Sequence, residues 1–211
     1  MAVIRQGVLG GFRGRVGNIV GTGWKGIAVM KSLPLSVANP RTAGQVAQRN
    51  KFALLTCLAS LLLAAVVKPL WDRFASNMSG YNAFISANQG SFNPMGNIDP
   101  AKLVVSKGRM LSPTIGSRTT SGNTMNCTIT NPIGDKYALP TDKIYAVGLH
   151  QTNLTPLFQG DTGVTRGASA TTIVPLTFPD TTALGNCGKV YISYLRADGS
   201  EVSNSGYRDY Q

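Results

Sequence analysis

The side chains that carry chemistry in most enzymes are sparse in this sequence. His150 is the single histidine in 211 residues. It falls in a stretch with β-strand character, without an acid and nucleophile pair beside it. The nine carboxylates are dispersed, and none forms a DxD or ExxE pair. General acid–base catalysis needs titratable groups within hydrogen-bond reach of one substrate, and nothing in this pattern supplies them. Cys57, Cys127 and Cys187 form no CxxC pair, so a zinc site is not expected. The three are read as free thiols, with pairing of Cys127 and Cys187 across a β-sandwich as the alternative. The glycines between Gly7 and Gly26 invite a phosphate-loop reading. Residues 21–26, however, lack the GK[ST] ending, Lys25 precedes the glycine, and no helix follows at once. The sequence therefore predicts a protein that is not an enzyme, with no catalytic residue, no metal and no cofactor.

What the sequence does offer is charge. No Asp or Glu precedes Asp72, yet nine of the 20 Lys and Arg residues do. Nearly all of the formal net charge of +11 thus sits in the first third of the chain. Such a segment is expected to meet phosphate or an acidic partner surface. Arg5, Arg13, Arg15, Lys25 and Lys31 are interleaved with Phe12 and Trp24. Cations of this kind neutralise phosphates, and aromatic rings stack on unpaired bases. Arg41, Arg49 and Lys51 follow in a motif that opens a helix. Arg41 stands where the helix dipole disfavours a cation, which calls for a carboxylate or backbone carbonyls as its partner. The nine candidate contact residues, for nucleic acid or for a neighbouring subunit, are therefore Arg5, Arg13, Arg15, Trp24, Lys25, Lys31, Arg41, Arg49 and Lys51. Charged residues make up only 14 % of the chain, below the roughly 25 % of ordinary soluble domains, which favours burial in an assembly.

These residues need elements to position them. The expected class is α+β in three segments. Residues 1–38 form a basic, Gly-rich β arm, with β-prone pieces at 16–20 and 24–30. Residues 39–89 form two helices. Thr42 is the N-cap of the first and Gln45 completes a capping box. Val46, Ala53, Leu54, Cys57, Leu58, Leu61 and Ala65 follow helical spacing on one face. Pro69 opens the second helix, which carries Leu70, Phe74, Met78, Tyr81 and Ile85. The apolar run 52–67 is shorter than the roughly 20 residues a bilayer span needs, so no membrane span is expected. The start of the chain does not read as a secretory signal. Residues 90–100 read as the domain boundary. Residues 98–211 form an antiparallel immunoglobulin-like β-sandwich, or a small jelly roll. Strands are expected at 102–107, 110–115, 124–130, 143–151, 155–158, 170–178, 189–196 and 202–207, with a turn at Asp198-Gly199.

Three passages carry a family resemblance: GNIVGTGWKGIAVMKSLP, NPRTAGQVAQRNKF and VYISYLRADGSEVSNSGY. They resemble a family of small uncharacterised proteins from Bacteroidota and their phages, marked by NPRTxxQxxQRxKF. The resemblance implies a phage context. The expectation is a non-enzymatic virion structural protein, capsid or capsid-associated, that self-assembles in many copies. Its partners would be itself, other virion proteins and packaged nucleic acid. It would reside in the virion, and in the host cytoplasm during assembly. The alternatives are a cellular nucleic-acid-binding protein, a tail or connector component, and a surface filament.

Overall fold

The computed structural model describes residues 3–4 (backbone alone), 11–24, 26–36 and 38–210. The chain divides into two compact units, Met1–Val46 with Ser76–Met78, and Ala47–Ala75 with Ser79–Gln211.

The first unit is an antiparallel sheet of β1 (Val3–Ile4), β2 (Phe12–Val16), β3 (Ile19–Trp24) and β4 (Ile27–Ser32), in that order. Its glycines serve two ends. Gly17 (φ 56°) and Gly26 (φ 84°) take the left-handed backbone that tight turns require. They split the β-prone pieces expected at 16–20 and 24–30, so each expected strand is half of two hairpin arms. Gly21 lies within β3, under Phe12. A Cβ built there would collide with the Phe12 carbonyl oxygen and lie 2.6 Å from its ring. No side chain fits at this position without moving β2.

Helix α1 runs Ala43–Leu61. Thr42 caps it as expected, accepting the Gln45 N–H at 3.4 Å. The long first helix expected to reach Lys68 is instead broken. A π-helical turn, Leu63–Val67, leads into α2 (Lys68–Trp71), and the axis bends by 69°. Pro69 has no N–H to donate, and π-turns and prolines are the usual sites of such kinks. The expected second helix is also shorter. Pro69 opens it within α2 as expected, it stops at Trp71, and it resumes as α3 (Gly80–Asn88), capped by Ser79, which accepts the Asn82 N–H. Asp72 Oδ1 accepts the Gly80 N–H at 2.8 Å. Phe74 and Met78 thus lie outside any helix and are exposed. Among the described residues no single helix is long and apolar enough to cross a membrane.

From residue 114 the chain makes seven strands in two antiparallel sheets. One is β5 (Thr114–Ser121), β6 (Thr124–Thr130) and β9 (Thr171–Thr177), in the order β5-β6-β9. The other contains β7 (Lys143–His150), β8 (Pro156–Thr165), β10 (Cys187–Leu195) and β11 (Gly206–Asp209), in the order β11-β10-β7-β8. A short helix, α4 (Thr181–Asn186), precedes β10. The chain is thus α+β with three antiparallel sheets. The strand expected at 102–107 does not form. A 3-10 turn, Pro100–Lys102, is followed by extended chain whose Val104 N–H bonds to the buried Asn88 Oδ1 at 2.7 Å. The Asp198-Gly199 turn forms, with Gly199 at φ 71°.

Strands β7 and β10 are central and buried on both faces. Ile144, Ala146, Val190, Ile192 and Tyr194 join Met125, Ile129, Val174 and Leu176 of the three-stranded sheet in one core. Val147, Leu149, Tyr191 and Leu195 on the opposite face join Leu55, Leu62, Val66, Leu70, Trp71 and Phe84 of the helices in a second. The buried stripe of α1 is therefore Leu55, Leu58 and Ala59, continued by Leu62 just beyond it. Of the face expected from spacing, Leu58 alone joins this stripe, and Val46, Leu54, Cys57 and Leu61 are exposed. Leu62→Ala is expected to lower the unfolding free energy by about 2–5 kcal/mol, since it deletes fully buried methyls and leaves a cavity. Urea denaturation should show the loss as a lower midpoint with an unchanged slope.

Candidate functional site

Directly opposed residues in an antiparallel pair project from the same face, and alternate residues from opposite faces. In the first unit, β2 and β3 pair Arg15 with Val20, and β3 and β4 pair Val20 with Lys31. Arg15, Val20 and Lys31 therefore form one row across three strands. Thr22 with Val29, and Trp24 with Ile27, form the next rows on that face. The opposite face carries Val16, Ile19 and Ser32 in one row, then Gly21 with Met30 and Gly23 with Ala28. Alternation alone would put Arg13 with Arg15, but the strand is interrupted at Gly14 (φ 109°), and the Arg13 guanidinium reaches the second face. A Cβ built on Gly23 would lie 3.2 Å from its Nη2. Arg15 Nε donates to the Gly17 carbonyl at 2.8 Å, which fixes the side chain beside the turn.

This unit has almost no interior. Among its described residues Gly21 alone is buried. Val16, Ile19, Trp24, Ile27, Val29 and Met30 are all exposed, Trp24 at 55 % and Met30 at 66 %. Strand β4 is exposed at all six positions and lies at the edge of the sheet. Monomeric proteins rarely leave such apolar density in water, and unpaired edges recruit other chains.

The structure separates the remaining candidate residues. Arg5 and Lys25 lie outside the described residues. Arg41 is exposed just before α1. Arg49 and Lys51 belong to α1 in the second unit, and Lys51 Nζ lies 5.8 Å from the centre of the Phe92 ring. Of the seven that are described, Arg15, Lys31 and Trp24 are brought onto one face. Phe52, Leu54 and Leu61 of α1 are also exposed. With Cys57 and the loop residues Asn93, Asn97 and Asn153, Leu54 and Leu61 line a groove of about 520 Å³.

One cluster that sequence reasoning missed sits in the core of the second unit. Asn131 Nδ2 donates to the carbonyls of Arg166 (3.1 Å) and Ser169 (2.7 Å), while Asn131 Oδ1 accepts from the Tyr194 hydroxyl at 2.6 Å. The buried Arg166 donates to the Pro132 carbonyl at 2.9 Å, lies 3.9 Å from Asp135 Oδ2 and covers the Tyr194 ring at 4.6 Å. Asp142, fully buried, accepts the Leu139 N–H at 2.7 Å. Burial raises its carboxyl above the ordinary value. That hydrogen bond and the charges of Arg166 and Arg196 pull the other way. Burial likewise pushes the Tyr194 phenol up to about 12. The partners come from positions up to 63 residues apart in sequence. The only signal available beforehand was a polar residue flanking each apolar run. The geometry is that of a structural lock, with every strong contact made inside the protein.

His150 Nδ1 accepts the Thr152 N–H at 3.1 Å in a turn. Among the described residues no group of three His, Cys, Asp or Glu is placed to hold a metal. Cys127 and Cys187 are buried free thiols and Cys57 is an exposed one. Burial, with Cys127 adding to it, pushes Cys187 up to about 12.

The molecule is thus an α+β protein whose exposed basic sheet is its most distinctive surface. Residues 11–209 match the Family of unknown function (DUF6266), and the chain belongs to that family. No curated protein matches the chain.

Two expectations follow from the buried groups. Because Asp142 binds its proton more tightly folded than unfolded, its ionisation costs stability as pH rises from the ordinary carboxylate range through its raised value. Asp142→Asn should keep the Leu139 hydrogen bond, remove that cost and be no less stable at pH 7. Asp142→Ala strands the Leu139 N–H and should lose about 1–3 kcal/mol. Thermal melts across pH measure both. In native protein a thiol reagent should modify Cys57 alone, and all three thiols in urea.

Proposed function

We propose that this chain is a non-enzymatic structural protein of a bacteriophage particle, a capsid or capsid-associated component that self-assembles in many copies. The helices and the seven strands make the subunit body. The basic sheet of residues 3–32 is the docking element toward neighbouring subunits and packaged genome. The observation that carries the reading is the first unit's lack of an interior. A four-stranded sheet with only Gly21 buried among its described residues, and with large apolar side chains on both faces, gains its stability from what covers it. The exposed apolar stripe of α1 supports the same view. The NPRTxxQxxQRxKF resemblance supports the phage setting, with other virion proteins as partners and the virion as location. We also read the second unit's strands as an immunoglobulin-like sandwich rather than a small jelly roll. Seven strands split three and four over one core, in the orders β5-β6-β9 and β11-β10-β7-β8, favour that reading.

Light scattering of the full-length chain tests the proposal. The wild type should form species far larger than the 22.3 kDa monomer. Ile19→Asp with Met30→Asp places charge on the uncovered face opposite the Arg15–Lys31 row. Both side chains are exposed in the monomer, so folding should survive while assembly falls at least tenfold. A wild type that stays monomeric at high concentration contradicts the reading.

A further inference from the structure

We infer that the Arg15–Val20–Lys31 row and Trp24 form a binding face for an unpaired nucleic-acid strand. The inference rests on the reading of the sheet as a docking element and names what one of its two faces meets.

Three observations carry it. The register places Arg15 and Lys31 in one row, about 10 Å apart across two strand spacings. Trp24 is on the same face, four residues along β3 from Val20 and so about 13 Å away. Its indole is more than half exposed, beside Ile27. A flat face with two cations at one end and an uncovered aromatic at the other suits a strand whose backbone tracks the cations while one base stacks on the ring. The second observation is charge. The unit contains six Lys and Arg residues through Arg41 and no carboxylate, so no group on it repels phosphate. The occupant it complements is a polyanion, and a second copy, just as basic in this unit, is not one. The third is the difference between the faces. The proposed face carries Arg15, Lys31 and Trp24 with Ile27 and Val29, whereas the opposite one presents Val16, Ile19 and Met30 with the single cation Arg13, which suits a protein neighbour better. Duplex DNA would use the cations but offers no unstacked base for Trp24, so the tryptophan selects a single strand over a duplex.

The test uses the full-length chain, a 20-mer oligo(dT), the matching duplex and poly-glutamate. The chain has two tryptophans, and Trp71 is buried, so its emission reports the folded body. Oligo(dT) should quench Trp24 emission saturably, with log affinity falling linearly against log salt. Arg15→Ala with Lys31→Ala should reduce that slope by about 1.4, at about 0.7 per phosphate contact on a single strand. Arg13→Ala, on the other face, should leave it unchanged. Trp24→Leu should weaken oligo(dT) binding about tenfold or more and duplex binding hardly at all. Each substituted side chain is exposed, so unchanged Trp71 emission and circular dichroism confirm the fold. The inference is overturned by no binding at low salt, by equal affinity for poly-glutamate, or by duplex binding as tight as oligo(dT) and indifferent to Trp24→Leu. Its failure is separable from that of the assembly reading. Oligo(dT) binding by a chain that stays monomeric upholds this inference and sinks the other. Assembly without oligo(dT) binding does the reverse.

Discussion

Burial of β7 and β10 on both faces is the constraint on which the second unit depends. A strand with one wet face can alternate apolar and polar side chains. These two cannot, because one face meets the three-stranded sheet and the other meets the helices. That explains why residues 187–195 are buried at all but one position. It also explains the helix geometry. To lie over Val147 and Tyr191, the helical segment must bend, and the π-turn before Pro69 provides the bend. The two trapped tyrosine hydroxyls are paired, although Asp142 Oδ1 and Arg166 Nη1 are buried without a hydrogen-bond partner. Tyr191 donates to the Pro100 carbonyl at 2.6 Å, and Tyr194 donates to Asn131 at the same distance. Unpaired, each would carry a desolvation cost comparable to a lost hydrogen bond.

The first unit obeys the opposite logic. Its sheet is too thin to enclose side chains, and its glycines let Phe12 and Arg13 lie flat on the backbone of β3. What remains outward differs between the faces, with Arg15, Lys31 and Trp24 beside Ile27 and Val29 on one, and Val16, Ile19 and Met30 beside Arg13 on the other. A surface organised in this way gains nothing for an isolated chain. Under the proposed reading it separates two partners, protein on one side and nucleic acid on the other.

Some of this was legible in the sequence and some was not, for identifiable reasons. The Thr42 cap, the strands at 124–130 and 143–150 and the Asp198-Gly199 turn follow from local chemistry that tertiary packing did not override. The inward face of α1 did not follow, because residues 52–67 are apolar nearly all round and helical spacing then selects no unique stripe. Strands β5 and β8 are sheet edges, rich in Thr, Ser and Gly, so β5 was missed beyond Ile115 and β8 was cut short at Phe158. The basic residues of the arm were visible as types. That Arg15 and Lys31 share a row with Val20 depends on turns at Gly17 and Gly26 and on the register they set, and that Arg13 departs from it depends on the interruption at Gly14. The Asn131–Arg166–Tyr194 cluster was invisible because its members meet only through the fold.

The central claim is that the N-terminal sheet is stabilised by what covers it. Amide hydrogen exchange, compared between dilute and concentrated protein, tests this most directly. The account predicts that β2, β3 and β4 exchange orders of magnitude faster than β7 and β10 in dilute solution, and become protected when the protein assembles. Amides of β2–β4 as protected as those of β10 in the dilute monomer would contradict it, because the sheet would then be stable without a partner.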